Sequence, residues 1–379
     1  MDLIPETLLR LVRSYSPSGS EAAAVGYLVS RMQALGFTRA FVDEAGNAVG
    51  CMGEGPRQVV LMGHIDTVPG EIPVRVEASS PPLSPPPSGK GPGVREMDEQ
   101  VLYGRGSVDA KGPLAAFVDA TAACGSLPGW QIVVIGAVGE EADSPGARHV
   151  LPLYHPEYAI IGEPSGWERV TLGYKGSAWA RLRVTRSLSH TARQQESAGE
   201  AVILAWQTLT AKAAVFNSSR EKQFDRLQLS LRGLQSGGDG FEEWAEIHAG
   251  ARLPLDLVPE RWYYQLNTDP LLCNIPGLSI QPEGFPIPAW QGEKNTPLVR
   301  AFLAGIRKAG GQPGFLRKTG TADVNIAAPA WGCPALAYGP GDSSLDHTPD
   351  EHLSLAEYHQ AVAVLQSVLK RLCLEEKAN

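Results

Sequence analysis

Histidine and carboxylate side chains recur along this sequence at intervals that could assemble a metal centre. Several directly follow short apolar runs, one lies a few residues beyond another run, and one belongs to a glycine-rich segment. The residues are His64, Asp66, Asp109, Glu140, Glu141, Glu163 and His347. Two imidazoles with several carboxylates suit zinc or another borderline divalent metal, and the oxygens suffice for two ions that share a bridging ligand. Carboxylates gathered in one crevice would repel each other strongly without cations.

The apolar runs before these residues predict the elements that position them. Each run is short and bounded by glycine or proline, which favours buried strands over helices. The runs are 59–62, 132–135, 159–161 and 335–338. A helix-like segment at 113–123 separates the first two, which is typical of a parallel α/β sheet. Because ligands bind at the carboxyl ends of the strands in such sheets, we expect the polar clusters to converge on one crevice.

A change of pattern at about Tyr174 predicts a second domain inserted into the first. Apolar and polar residues alternate from there, as in a strand with one solvated face, and a helix-like stretch follows at about 196–209. The parallel core resumes near residue 297, and its C-terminal helix opens with a capping-box pattern at Ser354 and Glu357. We therefore predict an α/β protein with a mostly parallel sheet. Its catalytic domain (1–173 and 288–379) is interrupted by an α+β domain (174–287).

Composition excludes several other classes of protein. The chain has 379 residues and a formal net charge of -8, which argues against wholesale nucleic-acid binding. No apolar run reaches the roughly 18 residues of a membrane span, and the first residues lack the features of a signal peptide. Five scattered cysteines indicate free thiols and a cytoplasmic location. The lack of a long apolar run also argues against a membrane partner. Residues 79–93 predict an exposed proline-rich loop of undefined role.

The ordered motifs resemble the di-zinc aminoacylase, acetylornithine deacetylase and carboxypeptidase superfamily, over nearly the whole chain. The resemblance rests on His64-Ile65-Asp66, the segment 104–112, Glu140-Glu141, Gly162-Glu163-Pro164 and His347. Residues 63–75, 318–325 and 339–347 further resemble the subfamily that releases lysine or ornithine from an amino-group carrier protein of the LysW type.

The resemblance implies which residues hold metal. Asp109 would bridge two divalent ions, with zinc favoured and cobalt or manganese also suitable. His64 and Glu163 would complete the protein ligands of one ion. Glu141 and His347 would complete those of the other.

The resemblance also assigns the proton transfer. Glu140 would be the general base that takes a proton from the attacking water and relays it to the leaving amine. Asp66 would orient His64, as metal-bound imidazoles generally require. Adjacent Glu140 and Glu141 can divide these roles only if a turn points them together, because on a strand they would face opposite sides.

In the family, the inserted domain is a lid that also forms the dimer. It carries a histidine that reaches the partner's site and stabilises the oxyanion. His190 lies at the corresponding place, although the usual neighbouring glycine and proline are missing from 187–193. Arg252 matches an arginine that often meets the substrate carboxylate. Thr321 and Asn325 belong to a substrate-binding motif in which Asn325 replaces the arginine of desuccinylating relatives, and this argues against a succinylated substrate.

The charge distribution bears on the carrier partner. Residues 165–235 contain 11 basic and 5 acidic residues, an excess of +6 in a chain of -8. This segment is either an ordinary mixed surface or a basic face that steers an acidic carrier protein. Arg181 and Arg183 would share one face of a strand.

These observations predict a metal-dependent amidohydrolase that cleaves an isopeptide bond and frees lysine or ornithine from the carrier. An N-acetyl-ornithine or N-acetyl-lysine deacetylase, or a dipeptidase, would use the same metal site and remains an alternative. An inactive relative that only binds a conjugate or partner would lack a metal ligand or Glu140, and none is missing.

Overall fold

A computed structural model describes residues 4–78, 100–188 and 196–374. Its strands are β1 (Arg39–Val42), β2 (Ala48–Met52), β3 (Arg57–His64), β4 (Arg75–Ala78), β5 (Gln100–Tyr103), β6 (Trp130–Ala137), β7 (Tyr158–Gly162), β8 (Arg169–Tyr174), β9 (Gly176–Ser187), β10 (Gln228–Gly238), β11 (Glu242–Leu253), β12 (Leu278–Ile287), β13 (Trp290–Gln291), β14 (Gly314–Lys318), β15 (Ala335–Tyr338) and β16 (His352–Ser354). Its helices are α1 (Glu6–Arg13), α2 (Ala22–Ala34), α3 (Lys111–Cys124), α4 (Pro145–Val150), α5 (Ala198–Asn217), α6 (Pro259–Thr268), α7 (Pro270–Cys273), α8 (Pro297–Lys308), α9 (Val324–Trp331) and α10 (Leu355–Leu374). The loop predicted at 79–93 and His190 lie outside the described residues.

Four parallel strands form the centre of the largest sheet, in the order β6, β3, β7 and β15. β2 pairs antiparallel with β6, and β8 pairs antiparallel with β15. Nearly every residue of these central strands is buried, as expected for parallel strands covered on both faces. The predicted α/β fold with a mostly parallel sheet is confirmed, and each of the four apolar runs forms one of its central strands.

Helices and the strands of this sheet share one hydrophobic core. α3 packs against α1 and α10, and α10 also packs against α8. Leu114 and Phe117 of α3 are fully buried, together with Phe302 of α8 and Leu365 of α10. The helix predicted at 113–123 is therefore confirmed as α3, which leads directly out of the segment that carries Asp109.

The chain divides into two compact units. The first comprises residues 1–172, 292–316 and 327–379, and the second comprises residues 173–291 and 317–326. The predicted insertion (174–287) lies within the second unit. That unit also includes 317–326, which the sequence analysis assigned to the catalytic domain. Hydrogen bonds from Asn325 to the backbone of Lys175 and Pro288 explain the difference.

The second unit contains an antiparallel sheet in the order β10, β11, β9 and β12. One face of its inner strands carries apolar residues such as Ala180 and Leu182 of β9, which are buried in a core shared with α5 and α6. The opposite face carries the more accessible Trp179, Arg181 and Arg183. Alternation along β9 therefore separates a packed face from a solvated one, as its sequence predicts.

The start of α2 has no capping side chain. Its first turn follows Glu21 without a hydrogen bond from a capping side chain. Ser18, a few residues before the helix, donates its hydroxyl to Asp66 at 2.7 Å. This serine therefore serves a contact 48 residues away rather than the adjacent helix.

The start of α10 contains one of the bonds of the predicted capping box. The backbone N–H of Glu357 donates to Ser354 Oγ at 3.1 Å. Glu357 Oε1 also accepts the backbone N–H groups of Trp167 and Gly341, at 2.9 and 3.1 Å. This carboxylate thereby ties the helix to the loops that follow β7 and β15.

All five cysteines are free thiols. Within the described ranges, no helix combines the length and apolarity needed to cross a bilayer.

Candidate metal centre

Three of the predicted clusters lie at the carboxyl ends of neighbouring strands. His64 is the last residue of β3, and Glu163 follows β7. Gly63 pairs with Gly162 in the parallel ladder, so the register places His64 and Glu163 next to each other. The end of β6 leads into the segment that carries the remaining two glutamates.

Glu140 and Glu141 occupy a turn rather than a strand. The turn begins at Gly139, whose φ of 74° is in the left-handed region that glycine tolerates. The backbone at Glu140 and Glu141 is therefore a turn and not a strand, as the sequence requires if one glutamate is the base and the other a ligand.

Asp109 lies between two histidines. Its Oδ1 is 3.0 Å from His64 Nε2, and its Oδ2 is 3.1 Å from His347 Nε2. His347 Nε2 is also 2.9 Å from Glu141 Oε1. Ligand atoms of His64, Asp109 and Glu141 all lie within 4.8 Å of one another. Four of the predicted ligands therefore form one contiguous cluster, with a separate imidazole at each oxygen of Asp109.

Asp66 contacts both the imidazole and the glutamate turn. Its carbonyl oxygen is 3.0 Å from His64 Nδ1, whereas its Oδ1 is 3.5 Å from that nitrogen. The carboxylate oxygens each accept a backbone N–H at 3.1 Å, from Glu140 and from Glu141. The orienting contact with His64 thus runs mainly through the carbonyl, while the carboxylate fixes the turn.

Hydrogen bonds within the cluster shift the pKa values of the aspartate and of both histidines. Burial opposes the ionised form of Asp109, but hydrogen bonds from His347 and His64 hold its pKa well below its usual range. Burial likewise opposes the charged form of His64, yet hydrogen bonds to Asp109 and Asp66 raise its pKa well above the ordinary value. Hydrogen bonds to Asp109 and Glu141 raise the pKa of His347 to about 10.

The donor set fits divalent metal ions. Imidazole nitrogens and carboxylate oxygens are the ligands that zinc and its borderline neighbours prefer. Asp66 contacts Nδ1 of His64 and leaves Nε2 directed at Asp109, which is the orientation that a metal-binding imidazole needs. Without cations, protonated histidines are the groups that balance these carboxylates.

Glu351, which the motifs did not indicate, accepts hydrogen bonds from the backbone at Asp109. Glu351 Oε1 accepts the backbone N–H groups of Val108 and Asp109, at 3.0 and 3.1 Å. Its Oε2 accepts a hydrogen bond from Arg105 Nη1 at 2.9 Å. Sequence spacing carried no signal for this role, because the contact joins residues 242 positions apart.

The predicted substrate residues of the second unit form two kinds of contact. Arg252 Nη1 donates to Thr321 Oγ1 at 2.8 Å. Asn325 Nδ2 donates to the carbonyl oxygens of Lys175 and Pro288, at 3.1 and 2.9 Å. Arg252 and Thr321 are therefore adjacent, whereas the Asn325 amide bonds to the backbone of its own unit. These bonds hold the segment 317–326 in the second unit.

The fold and the cluster together define a class of metallohydrolases with an interrupted α/β domain. An M20 family metallo-carboxypeptidase from Sulfolobus solfataricus shares this fold, with a TM-score of 0.72 over 98% of this chain and 99% of that chain at 17% identity. Residues 60–371 match the peptidase family M20/M25/M40. The chain belongs to this family and is a hydrolase.

Two relatives with curated names align with almost the full chain. A protein from Deinococcus radiodurans named [LysW]-lysine hydrolase is 43% identical over 97% of this chain and 96% of its own length. A protein from Sulfurisphaera tokodaii named [LysW]-lysine/[LysW]-ornithine hydrolase is 26% identical, over 99% of this chain and 97% of its own length.

Proposed function

We propose that this chain is a metal-dependent amidohydrolase that releases lysine, ornithine or both from an amino-group carrier protein of the LysW type. The substrate assignment is carried by the 43% identity to a relative that bears this activity in its name. The cluster around Asp109 supports the reaction class, because its donor set suits a hydrolytic metal centre. The product would enter lysine or arginine biosynthesis.

Five residues would hold two divalent ions, with zinc favoured. Asp109 would be shared between the ions, with His64 and Glu163 on one side and Glu141 and His347 on the other. The contact of each imidazole with a different oxygen of Asp109 supports this partition. When bound, the ions supply Lewis acidity that polarises the scissile carbonyl and lowers the pKa of water.

Glu140 would move the proton. It takes a proton from the attacking water and delivers it to the nitrogen of the leaving amino acid, so that the C–N bond breaks to give an amine and a carboxylate. Asp66 fixes the turn that carries Glu140 and Glu141, because its carboxylate accepts both of their backbone N–H groups.

The remaining assignments concern recognition and assembly. His190 would stabilise the oxyanion in a partner's site, and Arg252 would meet the substrate carboxylate with Thr321 beside it. Asn325 would act by positioning the segment that carries Thr321. A homodimer formed through the second unit, an acidic carrier as partner and a cytoplasmic location complete the proposal.

A side-by-side assay tests the substrate. Purified protein is given carrier-linked lysine, carrier-linked ornithine and N-acetyl-ornithine, and kcat/KM is measured for each. We expect the carrier-linked substrates to be preferred. A preference for N-acetyl-ornithine would instead assign the protein as a deacetylase with the same metal site.

Chelation tests the metal requirement. Treatment with a chelator should abolish hydrolysis, and stoichiometric zinc, cobalt or manganese should restore it. Elemental analysis of the untreated protein identifies the native ion. Full activity after complete removal of metal would contradict the proposal for every substrate.

A further inference from the structure

A buried ion pair lies beside the metal ligands without belonging to them. Glu351 is 1% exposed and Arg105 is 7% exposed, and their charged groups are 2.9 Å apart. Replacing a buried ion pair by well-packed apolar residues is often neutral or stabilising, so such a pair is weak evidence for a role in stability. Its contacts indicate a different role.

Glu351 fixes the backbone of Asp109. One carboxylate oxygen accepts the N–H of Asp109 itself, at 3.1 Å, and that of Val108, at 3.0 Å. Hydrogen bonds to an ionised acceptor are roughly twice as strong as neutral ones. The residue whose side chain lies between His64 and His347 is therefore held from the opposite side by a charged group.

Arg105 fixes the loop that carries His347. Its Nη1 donates to Glu351 and to the carbonyl oxygen of Thr348, the latter at 3.1 Å, while its Nε donates to Gly70 at 2.9 Å. His347, the residue before Thr348, has a φ of 60°, which is uncommon for any residue except glycine. The guanidinium group is therefore bonded to the backbone immediately after a predicted ligand that adopts a left-handed conformation.

We propose that the Arg105–Glu351 pair is a positioning device that sets the separation of Asp109 and His347 for metal binding. The pair connects the two ligand-bearing loops through a single pair of charges, one group anchoring each loop. It acts through the backbones of these loops, so these are positioning residues and not catalytic ones. This inference rests on the metal-binding part of the proposed function and is independent of the substrate.

Glu351→Gln tests the proposal with little change in side-chain size. A carboxamide must turn its NH₂ group either toward the N–H groups of Val108 and Asp109 or toward the guanidinium of Arg105, and all of these are donors. We expect metal-free Glu351→Gln to bind Co²⁺ about 10- to 100-fold more weakly than wild type. Competition with a chromophoric chelator measures the affinity, and visible absorption of the bound Co²⁺ reports an altered coordination.

Asp350→Asn is the matched control. Asp350 is exposed and directly precedes Glu351, and its replacement by asparagine removes the same charge. The Co²⁺ affinity and spectrum of this variant should equal those of wild type. Arg105→Lys retains the positive charge but loses the planar fork that reaches several acceptors, and it should also weaken Co²⁺ binding. It provides a second measurement if Glu351→Gln does not fold, which far-UV circular dichroism of the metal-free forms decides.

Unchanged Co²⁺ affinity and spectrum in folded Glu351→Gln, or in Arg105→Lys where only that variant folds, would overturn the inference. If the variants bind like a wild type that binds two Co²⁺ ions and hydrolyses carrier-linked lysine, only the positioning role fails. If wild type itself binds no Co²⁺, the proposed metal centre fails as well.

Discussion

At the scale of single residues, Asp66 illustrates how one side chain serves several neighbours. The sequence predicted that it orients His64, and its carbonyl oxygen does contact the imidazole. Its carboxylate binds the backbone of Glu140 and Glu141 instead, which no spacing rule indicates. A motif can therefore point to a residue without indicating which of its atoms makes each contact.

The proposed roles of Glu140 and Glu141 can be separated by substitution. Glu140→Gln should retain metal binding but lower kcat by about 10²- to 10⁴-fold, because only the proton transfer is removed. Steady-state kinetics with carrier-linked lysine, together with metal analysis of the same sample, measures both effects. Glu141→Gln is the matched comparison and should lose metal. A fully active Glu140→Gln variant would exclude Glu140 as the general base.

At the scale of elements, the sequence predicted the strands and helices that have a recognisable local pattern of apolar residues. Buried strands such as β3 and β7 are continuous apolar runs bounded by polar or glycine residues, and they form where expected. Helix α5 extends to Asn217, beyond its predicted end at about 209. It also begins with a complete capping box of Ser197 and Glu200 that the sequence analysis passed over.

Contacts between distant segments were not predictable in this way. Glu351 reaches the backbone of Asp109, and Asn325 reaches that of Lys175, across 242 and 150 residues. Such pairings depend on the finished topology, and a single sequence records only which residues could take part. The ligand set itself came from the resemblance of the ordered motifs to a known family, whereas strand geometry predicted only that the polar clusters after the strands would converge on one crevice.

Asn325 connects the segment 317–326 to the rest of the second unit. It is 1% exposed, and its amide contacts two carbonyl groups and the N–H of Ala322. Asn325→Ala leaves these buried groups without a partner and should lower the free energy of unfolding by on the order of 3 kcal/mol. Denaturant titration measures this. Asn274→Ala, at an exposed position in the same unit, should change it by less than about 0.5 kcal/mol.

Lys175 should make the stability of the second unit depend on pH. Its ammonium group donates to Gln228 Oε1 and to the carbonyl oxygens of Gln223 and Arg226, and burial lowers its pKa to about 8. Between about pH 8 and the ordinary lysine pKa near 10.5, the unfolded chain therefore binds more protons than the folded one. The contribution of Lys175 to the free energy of unfolding should rise with pH across this window.

The measurement compares wild type with Lys175→Met by denaturant unfolding at several pH values. The free energy of unfolding of wild type minus that of Lys175→Met should increase from pH 8 to pH 10. Lys222→Met, which removes an exposed ammonium from the same unit, serves as the matched control. A difference that stays constant or shrinks over this range would contradict the assigned pKa.

At the scale of the whole molecule, the basic excess of 165–235 is offset by later acidic residues. The second unit as a whole contains 14 basic and 13 acidic residues. Arg183 pairs with Glu246 at 2.8 Å, and Arg181 lies 3.4 Å from Glu283. Both acidic partners come after residue 235. A basic face that attracts an acidic carrier would therefore carry less net positive charge than the count over 165–235 implied.

Electrostatic steering should still be measurable on the exposed face of β9. Arg181→Glu with Arg183→Glu should lower kcat/KM for carrier-linked lysine by about tenfold at low salt, with the difference shrinking as salt is raised. Lys308→Glu with Lys370→Glu makes the same change of charge at exposed positions of the first unit and is the control. Equal effects of the two pairs, or no dependence on salt, would argue against a carrier site on this face.

The separation of the predicted ligands along the chain also constrains how the enzyme matures. Glu141 and His347 are 206 residues apart, and the entire inserted segment of the second unit is synthesised between them. A growing polypeptide on the ribosome therefore displays its first histidine and acidic groups long before the last imidazole emerges. If the predicted ligands hold two ions as proposed, acquisition of both must wait until the interrupted domain is rejoined, and metal loading would then be among the last events of biogenesis.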